Sequence, residues 1–264
     1  MKTRTDIQNM VKNNNKIVMI SAYDFPSAQQ SEAAGADIIL VGDSLGMVVL
    51  GYHSTVQVTV SDMIHHAKAV KRGAKNTFVA VDMPFMSYHL SLEKSLENAQ
   101  KIFQETNAQA LKVEGYSEQV LQLTKRLTVA GIPVINHLGL TPQTFNVLGG
   151  YPVQGRGESG IKLLQHAKEL ERAGSMAIVL EAIPKQLAQK VTQNLSIPTI
   201  GIGAGIHCDG QALVYHDILR YGKHHLPSFA KAYSNFQEVG VNGLTKFVID
   251  VKTNQFPTDE QSFF

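Results

Sequence analysis

The chain has 264 residues, of which 44% are hydrophobic and 17% are charged, and its formal net charge is +2. This composition suits a large buried core and argues against disorder. Lys and Arg are scattered along the chain, which argues against a nucleic-acid partner. The single cysteine, Cys208, excludes an internal disulfide framework. The polar segment 1–16 lacks the apolar stretch of a signal peptide, and no apolar run reaches the length of a membrane span. We therefore expect a cytoplasmic protein with no membrane partner.

Short apolar, β-branched runs alternate along the chain with longer amphipathic segments. The runs have strand length and are apolar on both faces, and they lie at 17–21, 37–41, 77–81, 110–113, 132–136, 176–180, 197–200 and 212–215. The segments between them predict helices at 27–34, 61–72, 91–106, 117–130, 159–173 and 185–194. Such runs are typical of parallel strands covered by helices. Eight of them, joined by crossovers, predict a closed α/β barrel, and a doubly wound open sheet is the alternative.

The ends of the predicted elements carry further signals. Several predicted helices open with serine, a favourable N-cap. Several are followed by glycine, namely Gly35, Gly73, Gly131 and Gly174. The spacing leaves little room for a helix between the seventh and eighth strands, whereas the tail after 228 predicts a helix or two. The pattern as a whole predicts one (β/α)8-barrel catalytic domain over 1–264, a TIM barrel with additional terminal helices.

Carboxylates follow three consecutive predicted strands. Active sites of such barrels lie at the carboxyl ends of the strands, where Asp43, Asp82 and Glu114 stand in this sequence. Without a counterion the three would repel one another, and some would stay protonated. We therefore predict a Mg²⁺-type ion, which prefers oxygen ligands; no Cys/His grouping has zinc spacing. The alternative is that each carboxylate is a helix N-cap or a surface charge.

Two residues beside these carboxylates are candidates for substrate contacts. Lys112 and Glu114 alternate on one strand, so both can point into the barrel. Lys112 would neutralise a substrate carboxylate or enolate oxygen or form a Schiff base, and a structural Lys–Glu pair is the alternative. Ser44 would donate a hydrogen bond to a bound carboxylate or cap a helix.

The later strands end in a candidate base and a glycine-rich turn. Glu181 follows the apolar run 176–180, and apolar surroundings raise the pKa of a carboxyl group, which suits a general base. A structural pair with Lys or Arg is the alternative. His137 is predicted to orient substrate or share in proton transfer, with a structural role as the alternative. The glycines of 201–205 favour either an anion nest or close packing, and the long glycine-rich segment 138–158 is predicted to lack regular structure and to serve function.

Longer motifs resemble the ketopantoate hydroxymethyltransferase family over essentially the whole chain, in order. They are SAYD at 21–24, VGDSLGMVVLGY at 41–52, VDMPFMSY at 81–88, LKVEG at 111–115, HLGLTPQ at 137–143, GGYPVQGR at 149–156, GIGAG at 201–205, CDGQ at 208–211 and FPTDEQSF at 256–263. Two positions depart from the family pattern: Asn136 stands where glycine is frequent, and Gln57 where proline is common. Neither is a proposed ligand.

The resemblance implies a Mg²⁺-dependent barrel enzyme of pantothenate biosynthesis. It would move a hydroxymethyl group from 5,10-methylenetetrahydrofolate, its co-substrate, to 3-methyl-2-oxobutanoate, giving 2-dehydropantoate. The implied site residues are the metal ligands Asp43, Asp82 and Glu114, the oxo-acid contacts Asp43, Ser44, Asp82 and Lys112, and the proton acceptor Glu181. The resemblance also implies a homo-oligomer, with a decamer as the expected form. The alternatives are another metal-dependent barrel lyase or aldolase acting on 2-oxo acids, and a non-catalytic protein on the same barrel.

Overall fold

The computed structural model describes residues 1–263, within which eight parallel strands form a closed barrel. The strands are β1 Ile17–Ser21, β2 Ile38–Val41, β3 Phe78–Asp82, β4 Ala110–Glu114, β5 Val134–Gly139, β6 Ala177–Glu181, β7 Thr199–Ile202 and β8 Gly210–Val214. Each strand pairs with the next, and β1 closes the ring with β8, where Ile17 lies opposite Gly210. The predicted barrel is confirmed, and the doubly wound alternative is wrong.

Helices separate most of the strands. They are α1 Arg4–Lys12, α2 Phe25–Ala33, α3 Leu45–Val48, α4 Val60–Gly73, α5 Leu92–Thr106, α6 Glu118–Val129, α7 Phe145–Leu148, α8 Glu158–Arg172, α9 Lys185–Asn194, α10 Tyr215–Leu219 and α11 Phe236–Lys252. As the spacing predicted, β7 is followed by β8 with no helix between them. Within residues 1–263 no helix combines the length and the apolar character that a membrane crossing requires.

Serine caps only some of the helices that were predicted to begin with it. Ser91 and Ser117 are the N-caps of α5 and α6. The other predicted serine caps are wrong, because α2 and α4 begin earlier, after Asp24 and Thr59, whose side chains accept hydrogen bonds from backbone N–H groups of the first turn. Asp and Thr are also good caps, so serine alone did not mark these helix starts. Helix α8 begins after Gly157 without a side-chain cap.

The inner face of the barrel is apolar along most of the strands and polar at their carboxyl ends. Strand alternation turns every second side chain inward, and Ala80, Ala110, Ile135 and Val179 belong to one fully buried apolar cluster, together with Ile7 of α1. Two residues further along the same strands, the same alternation brings polar side chains to the inner face, namely Asp82, Lys112, His137 and Glu181. The apolar layers therefore form a floor for the polar ends.

The segment after β5 contains more structure than its sequence predicted. Strand β5 itself continues to Gly139, and a 3₁₀ turn at Pro142–Thr144 leads into α7. The prediction that 138–158 lacks regular structure is therefore wrong for most of its first half, and the irregular residues are 140–141 and 149–157.

The chain divides into two compact units. Met1–Val214 holds the whole barrel, and the unit from Tyr215 onward holds α10, α11 and a 3₁₀ turn at Asp259–Gln261. The helix predicted in the tail is confirmed. A single domain over 1–264 stays a prediction.

Candidate active site

The register of the barrel brings the candidate residues side by side. Asp82 of β3 lies opposite Lys112 of β4, Glu114 opposite His137 of β5, and Gly139 opposite Glu181 of β6. Because neighbouring strands present these positions to the same inner face, one wall of side chains runs round the carboxyl-end rim from β3 to β6. All of these charged side chains are buried except that of Glu181, which is partly exposed.

The three predicted metal carboxylates form a buried cluster. Asp43, Asp82 and Glu114 each contribute an oxygen to a group in which all lie within 4.8 Å of one another. The Lys112 ammonium donates to Asp82 Oδ1 at 2.7 Å and to Glu114 Oε1 at 3.3 Å. The alternatives of N-caps and surface charges are wrong, because all three carboxylates converge inside the barrel.

The charges of the cluster are not balanced by its lysine. Burial, together with the charges of Glu114 and Asp82, raises the pKa of Asp43 well above its usual range. Burial also acts to raise the pKa of Glu114, but Lys112 and His137 outweigh it and bring the pKa to about 2. With Lys112 committed to its partners, Asp43 therefore tends to keep a proton unless another cation is present.

A divalent cation fits this donor set. The cluster offers only carboxylate oxygens, which Mg²⁺ prefers, and carries an excess of negative charge away from water. Oxygens bound at ~2.1 Å to one ion lie at most ~4.2 Å apart, so a small convergence of the three side chains makes one ligand shell.

A neutral amide links the cluster to the loop after β5. The Gln143 Nε2 group donates to Asp43 Oδ2 at 2.7 Å, and its backbone N–H donates to Glu114 Oε2 at 3.2 Å. The Tyr88 hydroxyl donates to Gln143 Oε1 at 2.6 Å. Sequence reasoning assigned neither residue a role, although both stand within the quoted motifs VDMPFMSY and HLGLTPQ.

Ser44 faces the site and does not cap a helix through its side chain. It stands at the N-cap position of α3, where its side chain makes no capping hydrogen bond. Its Oγ lies 2.7 Å from the Tyr23 hydroxyl oxygen. A Cβ atom at Gly42 would lie 2.9 Å from Ser44 Oγ, so any larger residue at position 42 would crowd the Ser44 hydroxyl. The capping alternative is wrong, and a substrate contact by Ser44 stays a prediction.

His137 connects the cluster to Glu181. Its Nδ1 lies 3.3 Å from Glu114 Oε1, and its Nε2 lies 3.2 Å from Glu181 Oε2. Burial and Lys112 act to lower the pKa of His137, but the contacts with Glu114 and Glu181 outweigh them and raise it to about 9. The ion partner of Glu181 is therefore His137, and the alternative of a Lys or Arg partner is not what the described residues show.

Two rings lie over this part of the rim. The Phe145 and Tyr151 rings pack with centroids 5.0 Å apart, and the Tyr151 hydroxyl lies 3.7 Å from Met47 Sδ. Partial burial, followed by the charge of Glu181, raises the pKa of Tyr151. Tyr151 thus brings the loop after β5 into contact with Met47 of α3, and it lies close enough to Glu181 for that charge to act on the Tyr151 pKa.

The glycine-rich turn after β7 packs closely against its neighbours. A Cβ atom at Gly201 would lie 3.1 Å from Cys208 Sγ and 3.2 Å from Gln211 Oε1, and Gln211 donates to the Gly205 carbonyl at 2.9 Å. These contacts favour the packing interpretation of 201–205 over the anion nest.

Comparison with known proteins gives consistent results along the whole chain. The family model described as ketopantoate hydroxymethyltransferase matches residues 1–259. Proteins named 3-methyl-2-oxobutanoate hydroxymethyltransferase from Geobacillus sp. (strain WCH70) and Desulfitobacterium hafniense (strain DSM 10664 / DCB-2) are 58% and 59% identical over 264 residues, covering all of this chain and 94% and 95% of theirs.

Solved structures share the fold at low identity. 2,3-Dimethylmalate lyase, of the PEP mutase/isocitrate lyase superfamily, has a TM-score of 0.61 at 15% identity, covering 99% of this chain and 92% of its own. Phosphonopyruvate hydrolase, solved as a complex with oxalate and Mg²⁺, has a TM-score of 0.64 at 10% identity, covering 100% and 92%. These likenesses concern the barrel fold alone.

Proposed function

This chain belongs to the ketopantoate hydroxymethyltransferase family, and we propose that it transfers a hydroxymethyl group from 5,10-methylenetetrahydrofolate to 3-methyl-2-oxobutanoate, giving 2-dehydropantoate in pantothenate biosynthesis. The observation that carries the proposal is the buried cluster of Asp43, Asp82 and Glu114 beside Lys112. A small oxo acid has adjacent carboxylate and keto oxygens, which suit a cation site of this kind.

Asp43, Asp82 and Glu114 would hold Mg²⁺ in this proposal. When bound, the ion supplies Lewis acidity that polarises the keto group and acidifies the neighbouring C3–H bond. Phosphonopyruvate hydrolase, which shares the fold, has been solved with Mg²⁺ and oxalate. Oxalate also has adjacent oxygens, which supports this pairing of ion and small acid on the barrel.

Lys112 would stabilise negative charge on the substrate without forming a covalent bond. Burial acts to lower its pKa, but the charges of Asp82, Glu114 and Asp43 more than offset this and raise it. A Schiff base requires a neutral amine, which these three carboxylates oppose. A buried ammonium near the cluster instead favours the charge that develops on the oxo acid as C3 loses its proton. Ser44 would add a hydrogen bond to the oxo-acid carboxylate.

Glu181 would be the base that accepts the C3 proton. Its carboxylate is partly exposed, and His137 holds it from one side at 3.2 Å. After the proton has moved to Glu181, C3 would form the new carbon–carbon bond with the methylene carbon of the folate. That carbon gives up both of its carbon–nitrogen bonds, one as the bond to C3 forms and one as water adds the hydroxyl, and tetrahydrofolate leaves with the two protons that Glu181 and the water release. Each step on the protein is thus a proton transfer or charge stabilisation, and no protein nucleophile is required.

The folate would lie against the loop after β5. Tyr151 is 48% exposed, it packs against Phe145, and partial burial followed by the charge of Glu181 raises its pKa. The exposed Tyr151 ring, packed on the half-buried Phe145 ring, offers a surface for the flat ring system of the carrier. Assembly into a homo-oligomer, with a decamer as the expected form, and a cytoplasmic location are also parts of the proposal.

A turnover assay tests the proposed reaction. We expect 2-dehydropantoate to form from 3-methyl-2-oxobutanoate and 5,10-methylenetetrahydrofolate, and to stop when EDTA removes divalent ions and resume when Mg²⁺ is returned. The matched control omits only the folate. Cleavage or condensation of 2-oxo acids without folate would instead favour the alternative of a metal-dependent lyase or aldolase.

A further inference from the structure

One buried amide touches the ends of three strands. Gln143, in the 3₁₀ turn after β5, is 4% exposed. Its Nε2 group donates both to Asp43 Oδ2 at 2.7 Å and to the Met83 carbonyl at 3.0 Å. Its backbone N–H donates to Glu114 Oε2 at 3.2 Å. Asp43 follows β2, Met83 follows β3 and Glu114 ends β4, so Gln143 contacts the same three strand ends that carry the carboxylates.

The hydrogen bonds fix which way this amide points. Gln143 has two N–H donors and one carbonyl oxygen, and all are used, because Oε1 accepts from the Tyr88 hydroxyl at 2.6 Å. Turning the amide by 180° would place its oxygen against the Asp43 carboxylate and the Met83 carbonyl. Tyr88 is itself only 2% exposed, so the hydroxyl that selects the orientation is held in place by packing.

We propose that Gln143, oriented by Tyr88, is a positioning residue that holds the Asp43 and Glu114 carboxylates in place for one divalent cation. The inference rests on the metal site of the proposed function and assigns Gln143 no contact with substrate. Groups that orient metal ligands lower the cost of assembling the site, and their loss typically weakens metal binding by ~10–100-fold.

The same contacts join the loop after β5 to the carboxylate cluster. Helix α7 and Tyr151 follow Gln143 within eight residues, and the Gln143 contacts anchor this segment to Asp43 and Glu114. If Gln143 holds the carboxylates for the ion, the ion in turn stabilises the conformation in which Gln143 is docked, because the coupling is reciprocal. Binding of the cation is therefore expected to slow hydrogen exchange in 145–151.

Mg²⁺ affinity of two variants, measured without substrate, tests the inference. Gln143→Leu keeps the approximate size but removes the amide. Tyr88→Phe removes only the hydroxyl, which orients the amide and also accepts from the Glu114 backbone N–H at 3.3 Å. By titration calorimetry we expect Mg²⁺ affinity to fall by ~10–100-fold in Gln143→Leu, and by a smaller factor in Tyr88→Phe. The matched control is Gln122→Leu on α6, where an exposed amide donates to Glu118; its Mg²⁺ affinity is expected to equal that of wild type.

A second measurement separates positioning from general stability. A purely structural role would lower the Tm equally with EDTA and with Mg²⁺, whereas a positioning role shrinks the rise in Tm that a fixed, subsaturating Mg²⁺ concentration produces. Slower exchange of 145–151 on Mg²⁺ addition is expected in wild type and expected to be weakened in Gln143→Leu at that same concentration.

The outcomes distinguish this inference from the proposed function. If the wild-type protein binds no Mg²⁺, the metal site of the proposed function is itself contradicted. A wild-type protein that binds Mg²⁺ while folded Gln143→Leu binds it within twofold would overturn the positioning role alone. If Gln143→Leu does not fold, Tyr88→Phe decides, and an unchanged affinity in that variant overturns the inference.

Discussion

Asp43 and Asp82 are joined to each other and to different partners. The backbone N–H of Asp43 donates to Asp82 Oδ2 at 3.0 Å, while Lys112 donates to Asp82 Oδ1. We expect Asp43→Asn or Asp82→Asn to weaken Mg²⁺ and oxo-acid binding together, because each removes an anionic oxygen and, in the proposed function, the oxo acid is held through the ion. The loss of Mg²⁺ affinity should be ~10-fold or more.

Calorimetric titration of both ligands checks this expectation. Asp62→Asn is the control, because Asp62 is a partly exposed carboxylate in the first turn of α4 and does not belong to the carboxylate cluster. Unchanged affinity for both ligands in either Asp43→Asn or Asp82→Asn would contradict the assignment of these residues as metal ligands.

Glu181 allows the proton-transfer step to be measured separately from the folate. In deuterated water with Mg²⁺ and oxo acid, we expect the wild-type protein to exchange the C3 proton without folate. Glu181→Gln keeps the size but removes the basicity, so it should bind Mg²⁺ and oxo acid nearly normally and lose exchange by a factor of ~10²–10⁴. NMR of the oxo acid follows the exchange directly.

Two results would contradict the assignment of Glu181. One is exchange at the wild-type rate in Glu181→Gln, and the other is a defect that added Mg²⁺ cures. The second would place Glu181 among the metal ligands. A Glu181 neutralised by the ion would no longer favour the protonated imidazole, so His137, 3.2 Å away, would be the next candidate base. Glu158→Gln, at an exposed position in the first turn of α8, is the matched control.

Charged site residues were predictable at this scale, and neutral ones were not. Asp82, Lys112 and Glu114 stand at strand ends in the sequence, and strand alternation is enough to place them on one face. Gln143 and Tyr88 carry no charge that marks them as unusual. Their importance comes from contacts with residues that are distant in sequence, such as Asp43, and these contacts exist only once the barrel has closed.

At the scale of elements, strand existence was clearer from the sequence than strand length. Strand β1 was predicted with its observed bounds, whereas β5 was predicted at 132–136 and is observed at Val134–Gly139. The glycine-rich pattern of 138–158 predicted a segment without regular structure, but Gly139 pairs with Glu181 of β6. The end of a strand is set by its neighbour's hydrogen bonds, which a local apolar pattern does not contain.

Gly139 allows this pairing to be tested. Its φ is +97°, and a Cβ atom there would lie 2.2 Å from the Glu181 carbonyl oxygen and 2.7 Å from Ile183 Cγ2. We expect Gly139→Ala to lower the free energy of unfolding by roughly 2–6 kcal/mol, from backbone strain and overpacking together. The measurement is urea unfolding in the presence of EDTA.

Gly35→Ala is the matched control for that measurement. Gly35 also has a positive φ, +88°, but a Cβ atom there meets nothing within 4 Å. It should therefore show only the strain, about 1–3 kcal/mol. Equal losses in the two variants would contradict the close approach of β5 and β6.

At the scale of the whole molecule, closure of the barrel followed from counting. Eight apolar runs with helical segments between them already favoured a ring, and parallel pairing of β8 with β1 completes it. The unit from Tyr215 onward was less predictable beyond the presence of a helix. Its sequence has no alternating strand pattern from which a neighbouring element could be predicted, and α11 has no buried residue.

The exposed apolar side chains of α11 give the predicted homo-oligomer a physical basis. Val239 and Leu244 are 70% and 68% exposed, and Phe247 and Ile249 are each more than half exposed. Leu244, Phe247 and Val251 are spaced by three and four residues, so they share one exposed face of α11. A contiguous exposed apolar face is typical of surfaces that bind another protein chain. We therefore expect the purified protein to be a homo-oligomer by light scattering, and we expect Leu244→Glu to shift it to a smaller species, because a charge would have to be buried in the interface.

Thr245→Glu, at the next exposed position of the same helix, separates this effect from added charge alone. It should keep the wild-type mass, because Thr245 is polar and exposed and a charge there need not lose its water. Circular dichroism should show equal helix content in the two variants, so that a change in mass is not a consequence of unfolding. A wild-type protein that is a stable monomer at micromolar concentration would contradict the homo-oligomer. A Leu244→Glu variant that keeps the wild-type mass would leave the homo-oligomer in place and remove α11 from its interface.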